Sequence, residues 1–89
     1  MKLYLLRPVK GTDNLNGRDP WVPWYDKAFG FIVRAESESH ARALIIDTQS
    51  TTHYGDEGKE AWWNPEFSTC IELTSEGEAE IIMCDFSSA

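Results

Sequence analysis

The sequence predicts an α+β domain: a small, mostly antiparallel sheet in the order β-β-α-β-β, with one helix packed on one face. Three observations lead there. Residues 2–7 and 29–35 have the aliphatic and aromatic content of strands. A stretch of helical period, opened by a serine, follows the second strand within two residues. Two more strand-like runs, 69–74 and 79–86, flank a short acidic turn.

The first strand is the run Lys2-Leu3-Tyr4-Leu5-Leu6-Arg7, which Pro8 closes. Residues 10–18 are turn chemistry, rich in Gly, Asn and Asp. In the second strand Phe29, Phe31, Val33 and Ala35 alternate on one face, with Gly30, Ile32 and Arg34 on the other. Ser37 is placed to cap a helix over about 38–48, and Glu36 and Glu38 set negative charge at the positive end of its dipole. Ala41, Leu44, Ile45 and Thr48 form the apolar stripe, and Glu38 and Arg42 are spaced i, i+4 on the opposite side. Residues 49–60 read as a loop, with Gly55-Asp56-Glu57-Gly58 a solvated turn, and Asn64-Pro65 favours a further turn. Residues 69–86 read as a hairpin turning over Ser75-Glu76-Gly77-Glu78, a one-turn helix at 69–73 being the main alternative. The link between the first two strands runs to about twenty residues, which marks it as functional or as carrying structure of its own.

Eighty-nine residues make a single domain, 1–89, with a small core. A hydrophobic content of 42% and an aromatic content of 12% argue for a folded chain. No apolar run approaches the roughly 20 residues that span a bilayer. The N-terminal run is too short for a signal peptide and lacks a small-residue cleavage site, so the expected location is cytoplasmic. The net charge of −7 is unevenly spread: residues 1–35 hold six Lys/Arg and three Asp/Glu, and residues 36–89 hold two Lys/Arg and twelve Asp/Glu. That asymmetry argues against direct nucleic-acid binding, which needs clustered positive charge. The acidic half suits a basic protein surface, imitation of nucleic acid, or plain solubility.

The chain is organised around Asp19-Pro20-Trp21-Val22-Pro23-Trp24-Tyr25-Asp26-Lys27. Trp21, Trp24 and Tyr25 on a proline-stiffened loop are candidate anchors for a protein partner, because Trp and Tyr bury large areas with few rotatable bonds. The competing reading is that one or two of them cap the core. Trp62 and Trp63 are adjacent and are further candidate anchors for the partner; on a strand they point to opposite faces, one buried and one exposed.

The remaining chemistry is sparse. Cys70, Cys84, His40 and His53 each stand alone, without the paired spacing of a zinc site, and no cofactor or catalytic signature is present. If the hairpin register pairs residues whose numbers sum to 154, Cys70 lies opposite Cys84, as two free thiols in a reducing compartment.

Leu3-Tyr4-Leu5-Leu6-Arg7-Pro8, Pro20-Trp21-x-Pro23-Trp24-Tyr25-Asp26-Lys27, Phe29-Gly30-Phe31-Ile32-Val33-Arg34-Ala35 with its capped helix, and the later Gly55-Asp56-Glu57-Gly58 and Ala61-Trp62 together resemble small proteins of phages and prophage regions. The resemblance spans most of the chain and implies a bacterial or phage cytoplasm and a host-directed binding role. No activity is attached to that group, so it supplies no site residues. The leading expectation is a non-enzymatic interaction module. The alternatives are a homo-oligomeric structural domain whose aromatic loops are buried between subunits and a small enzyme using Cys70 or His40.

Overall fold

The computed structural model describes residues 1–9, 20–21, 28–48 and 55–85. Its elements are β1 (Lys2–Pro8), β2 (Phe31–Ala35), α1 (Glu38–Thr48), α2 (Gly55–Trp63) and β3 (Ser68–Leu73). The three strands form one antiparallel sheet in the order β2-β1-β3. The α+β class and the antiparallel sheet hold; the β-β-α-β-β order gives way to β-β-α-α-β.

β1 is the centre of the sheet because it is apolar on both faces. Tyr4 and Leu6 point to the helices and Leu5 to the opposite side, and all three are buried. A strand buried on both faces needs a neighbour along each edge to satisfy its backbone. β2 supplies one, with Leu6 opposite Phe31 and Tyr4 opposite Val33. β3 supplies the other, with Leu6 opposite Cys70 and Pro8 opposite Ser68. Pro8 is therefore the last residue of β1 and not its stop.

That pairing removes the expected hairpin. β3 is committed to β1, and residues 79–85 form no strand; Phe86 lies outside the described residues. Glu76, Glu78 and Glu80 alternate along the chain after β3, where like charges on one face disfavour pairing. Gly77 adopts a φ of 128°, a left-handed conformation open to glycine and strained for other residues. Cys70 accordingly faces Leu6, and Cys84 is exposed on a separate segment; both thiols are free.

α1 forms where the sequence places it. His40 N–H donates to Ser37 Oγ at 3.2 Å, and Ala41 N–H donates to Ser37 O at 2.9 Å. His40 Nδ1 accepts in turn from Glu36 N–H at 3.0 Å, so the helix start is capped reciprocally. Ala41 and Ile45 are buried, Leu44 packs beside them, and Thr48 is exposed at the end.

α2 is the element that local propensity hides. Two glycines in its first four residues, among turn-forming neighbours, read as a loop. Tertiary packing overrides this, because Ala61 and Trp62 are both fully buried against the sheet and α1. Asn64 ends the helix: its N–H donates to Glu60 O, its carbonyl accepts from Phe67 and Ser68, and its side-chain oxygen accepts from Glu66 N–H at 2.9 Å. Trp62 and Trp63 therefore sit on a helix and not on a strand. One is nonetheless buried and the other exposed, because neighbours on a helix lie about 100° apart.

The core is built on perpendicular aromatic pairs. Trp62 meets Trp21 at 4.8 Å between ring centroids and Phe31 at 4.9 Å, both edge to face. Trp21 donates its indole N–H to Phe67 O at 3.0 Å, tying the long connection between β1 and β2 to the start of β3. Among the described residues the buried Trp62 indole N–H has no hydrogen-bond acceptor.

The i, i+4 pair of Glu38 and Arg42 forms, and Arg42 does more than that spacing foretold. Its Nε does donate to Glu38 Oε2 at 3.0 Å, yet the side chain is only 3% exposed. Nη1 donates to Trp62 O at 2.8 Å and to Ser68 Oγ at 2.7 Å, and Nη2 donates to Ser68 O at 2.8 Å. Truncation strands these buried acceptors. Arg42→Ala is expected to lower unfolding free energy by about 3–5 kcal/mol. Deleting the exposed Lys2–Glu72 pair, 3.4 Å apart, changes it by about 0.5 kcal/mol or less. Urea titration of both variants beside the parent protein measures the contrast.

Candidate functional site

The five aromatic residues considered as partner anchors divide three ways. Trp21 and Trp62 are fully buried and hold the core together, with no surface to present to a partner in this fold. Trp24 and Tyr25 lie outside the described residues. Trp63 is 53% exposed, a large hydrophobic side chain at the end of α2 that the core does not absorb.

Trp63 forms one wall of a groove of about 490 Å³ whose other lining residues are Ser37, Glu38, Ser39, Arg42 and Pro65. Three elements position it. The last turn of α2 carries Trp63, the Asn64–Pro65 turn places the proline beside it, and the first turn of α1 supplies the facing rim. The Arg42 guanidinium couples the two helices by bonding the carbonyl of Trp62, one residue before the exposed indole. That carbonyl is one of the orphan acceptors at the end of α2, and a cation there also suits the helix dipole. The groove is therefore a by-product of the same contact that docks α1 on α2.

Its polar groups are mostly engaged with one another. Ser37 Oγ caps α1 and lies 3.2 Å from Ser39 Oγ. The Glu38 side chain is half exposed and gives one carboxylate oxygen to Arg42.

A second opening lies on the sheet face turned away from the helices. A cleft of about 320 Å³ is lined by Leu5, Arg7, Phe29, Ile32, Met83 and Asp85, among others. The chain after β3 returns across this face, where Arg7 Nη2 and Asp85 Oδ1 come within 3.8 Å. The arginine passes over Gly30: a Cβ there would sit 2.9 Å from Arg7 Nη1, the far end of a side chain that can move aside. The cover is partial. Leu5 is buried, whereas Ile32 is 61% exposed and Ile71 55%, and both lie opposite Leu5 in the register. This apolar face was not anticipated from sequence, although the alternation of Leu3, Leu5 and Ile32 away from the core side was there to be read.

Cys70 and His40, the candidates for a small enzyme, both lie among the described residues. Burial pushes the Cys70 thiol up from its ordinary value, nearby Glu38 pushes it further, and Arg42 only partly offsets them. A nucleophilic cysteine needs the reverse. His40 has its Nδ1 occupied by the Glu36 backbone N–H, a structural cap rather than a base poised over a thiol. His53 lies outside the described residues. Among the described residues no group of three or more His, Cys, Asp or Glu side chains is placed to hold a metal ion. Among the same residues no helix is long and apolar enough to cross a membrane.

Searches against protein-family models, curated proteins and solved structures found no match.

The thiol environments give a direct test. At pH 7.5 iodoacetamide is expected to alkylate exposed Cys84 severalfold faster than half-buried Cys70, whose thiol burial pushes up from its ordinary value. Peptide mass spectrometry over a pH series reads both rates.

Proposed function

We propose that this chain is a non-enzymatic interaction module that binds a protein partner. In the phage or prophage setting its sequence resembles, that partner is a host protein. The observation that carries the reading is Trp63, 53% exposed on the wall of a groove between two helices. Arg42 holds the helix end that carries Trp63 through Trp62 O, and an exposed indole offers a large contact area with few rotatable bonds. The acidic second half of the chain would govern partner choice and association rate. The raised Cys70 thiol and the occupied His40 favour this reading over a Cys/His enzyme.

Trp63→Ala tests the module without the ambiguity of a core residue. Exposed substitutions away from caps and buried networks usually change stability by about 0.5 kcal/mol or less, so circular dichroism and thermal melting should match the parent protein. Affinity capture from bacterial lysate at low and moderate salt is expected to retain a partner on the parent and lose it on the folded Trp63→Ala variant. Equal capture by both would overturn the role of Trp63.

Self-association is a second reading, favoured by the outer sheet face. Leu3, Ile32 and Ile71 there are 36–61% exposed, and a second copy of the chain offers a matching apolar face. Sedimentation at tens of micromolar is expected to show a dimer that Ile32→Glu/Ile71→Glu converts to monomer. A parent protein that is monomeric at that concentration rules this reading out.

A further inference from the structure

The groove beside Trp63 is chemically one-sided. Its exposed rim carries the carboxylate of Glu38 and the hydroxyls of Ser37 and Ser39, and its walls are the indole of Trp63 and the ring of Pro65. The single cation in the lining, Arg42, is buried, and its guanidinium is directed at Glu38, Trp62 O and Ser68. Three backbone N–H groups at the start of α1 are already engaged. His40 N–H is taken by Ser37 Oγ, Ala41 N–H by Ser37 O and Glu36 N–H by His40 Nδ1. Glu38 Oε2 accepts from Arg42 Nε, and the carboxylate is half exposed, with lone pairs left to accept from a donor in the groove. Glu36 and Glu66 are exposed next to lining residues in the chain. Residues 36–89 carry only two Lys/Arg against twelve Asp/Glu, and Arg42, one of those two cations, is the buried one.

We propose that the groove receives an arginine side chain from a basic segment of the partner protein. Trp63 stacks on the face of the guanidinium, and Glu38 accepts from its edge. This rests on the reading of Trp63 as the interaction surface and gives that surface a ligand. Arginine fits better than lysine because a planar guanidinium stacks on an aromatic ring while its in-plane N–H groups continue to donate. Pro65 closes the apolar side of the groove, where the arginine methylenes lie.

The test uses the full chain and three labelled peptides of equal length, alternating Gly with Arg, Lys or Glu, read by fluorescence anisotropy. The parent protein is expected to bind the Arg peptide tightest and the Glu peptide not at all. Trp63→Ala is expected to weaken Arg-peptide binding by about tenfold, and Trp63→Phe by less, since a smaller aromatic ring still stacks. Glu38→Gln keeps an oxygen for Arg42 Nε while removing the charge. It should weaken binding severalfold at low salt and have little effect at high salt. Equal affinity of the parent and Trp63→Ala for the Arg peptide would overturn the proposal, because general attraction to an acidic surface would then suffice. So would an Arg peptide that fails to bind a parent protein still capturing its lysate partner through Trp63. That second outcome leaves the interaction surface standing and rejects only its basic ligand. Failure of both assays rejects both.

Discussion

The guanidinium of Arg42 is the contact on which the rest of this small structure depends. It starts from α1, closes the last turn of α2 through Trp62 O, and grips both the side chain and the carbonyl of Ser68 at the first residue of β3. Three elements that are distant in sequence meet on one planar, permanently charged group. A chain of this length has few apolar side chains with which to hold helix to helix, and the α1 stripe is narrow. Arginine suits the position because its donors point in fixed directions and match carbonyl acceptors around its rim. Leaving that charge buried is tolerable because Glu38 and the dipole of α2 both oppose it.

The aromatic residues show how a short chain divides scarce large side chains. Trp21 arrives from the long connection between β1 and β2 and joins Trp62 and Phe31 over the sheet, so that connection is anchored by an indole hydrogen bond to Phe67 O. With both of those tryptophans in the core, Trp63 is left outside, and the helical offset from Trp62 is the reason. The exposed ring and the buried clasp are consequences of one helix placement. A rigid fold supports the surface, and the surface does not have to be assembled separately.

Charge and apolar area are segregated on the two sides of the sheet. The helical side presents Trp63 within an acidic rim, and the outer side presents Leu3, Ile32 and Ile71 under partial cover of the chain that follows β3. Among the described residues, the long Arg7–Asp85 approach joins that covering segment to the sheet through charge, at a site where water screens it. Cys70 lies between these surfaces, with its thiol held in the protonated form by burial and by Glu38. Trp21 and Trp62 thus serve packing, and Trp63 is the tryptophan of α2 left at the surface.

Where the sequence alone was sufficient, the determinants were local. The cap at Ser37, the α1 stripe, the alternation in β2 and the Asn64–Pro65 turn all follow from spacing and residue type, because each depends on neighbours a few positions away. α2 was illegible, because its glycines and turn formers argue against a helix and only the burial of Ala61 and Trp62 against distant elements outweighs them. The partner of β3 was illegible for a related reason. Hairpin logic favours the nearest strand in sequence, whereas the doubly buried β1 needed a second neighbour. The candidate site followed the same division. Adjacent tryptophans announced that one would be buried and one exposed, but which of them faced water was decided by the angle at which α2 meets α1. The Arg42 clasp joins those helices, and it closes between residues twenty or more positions apart.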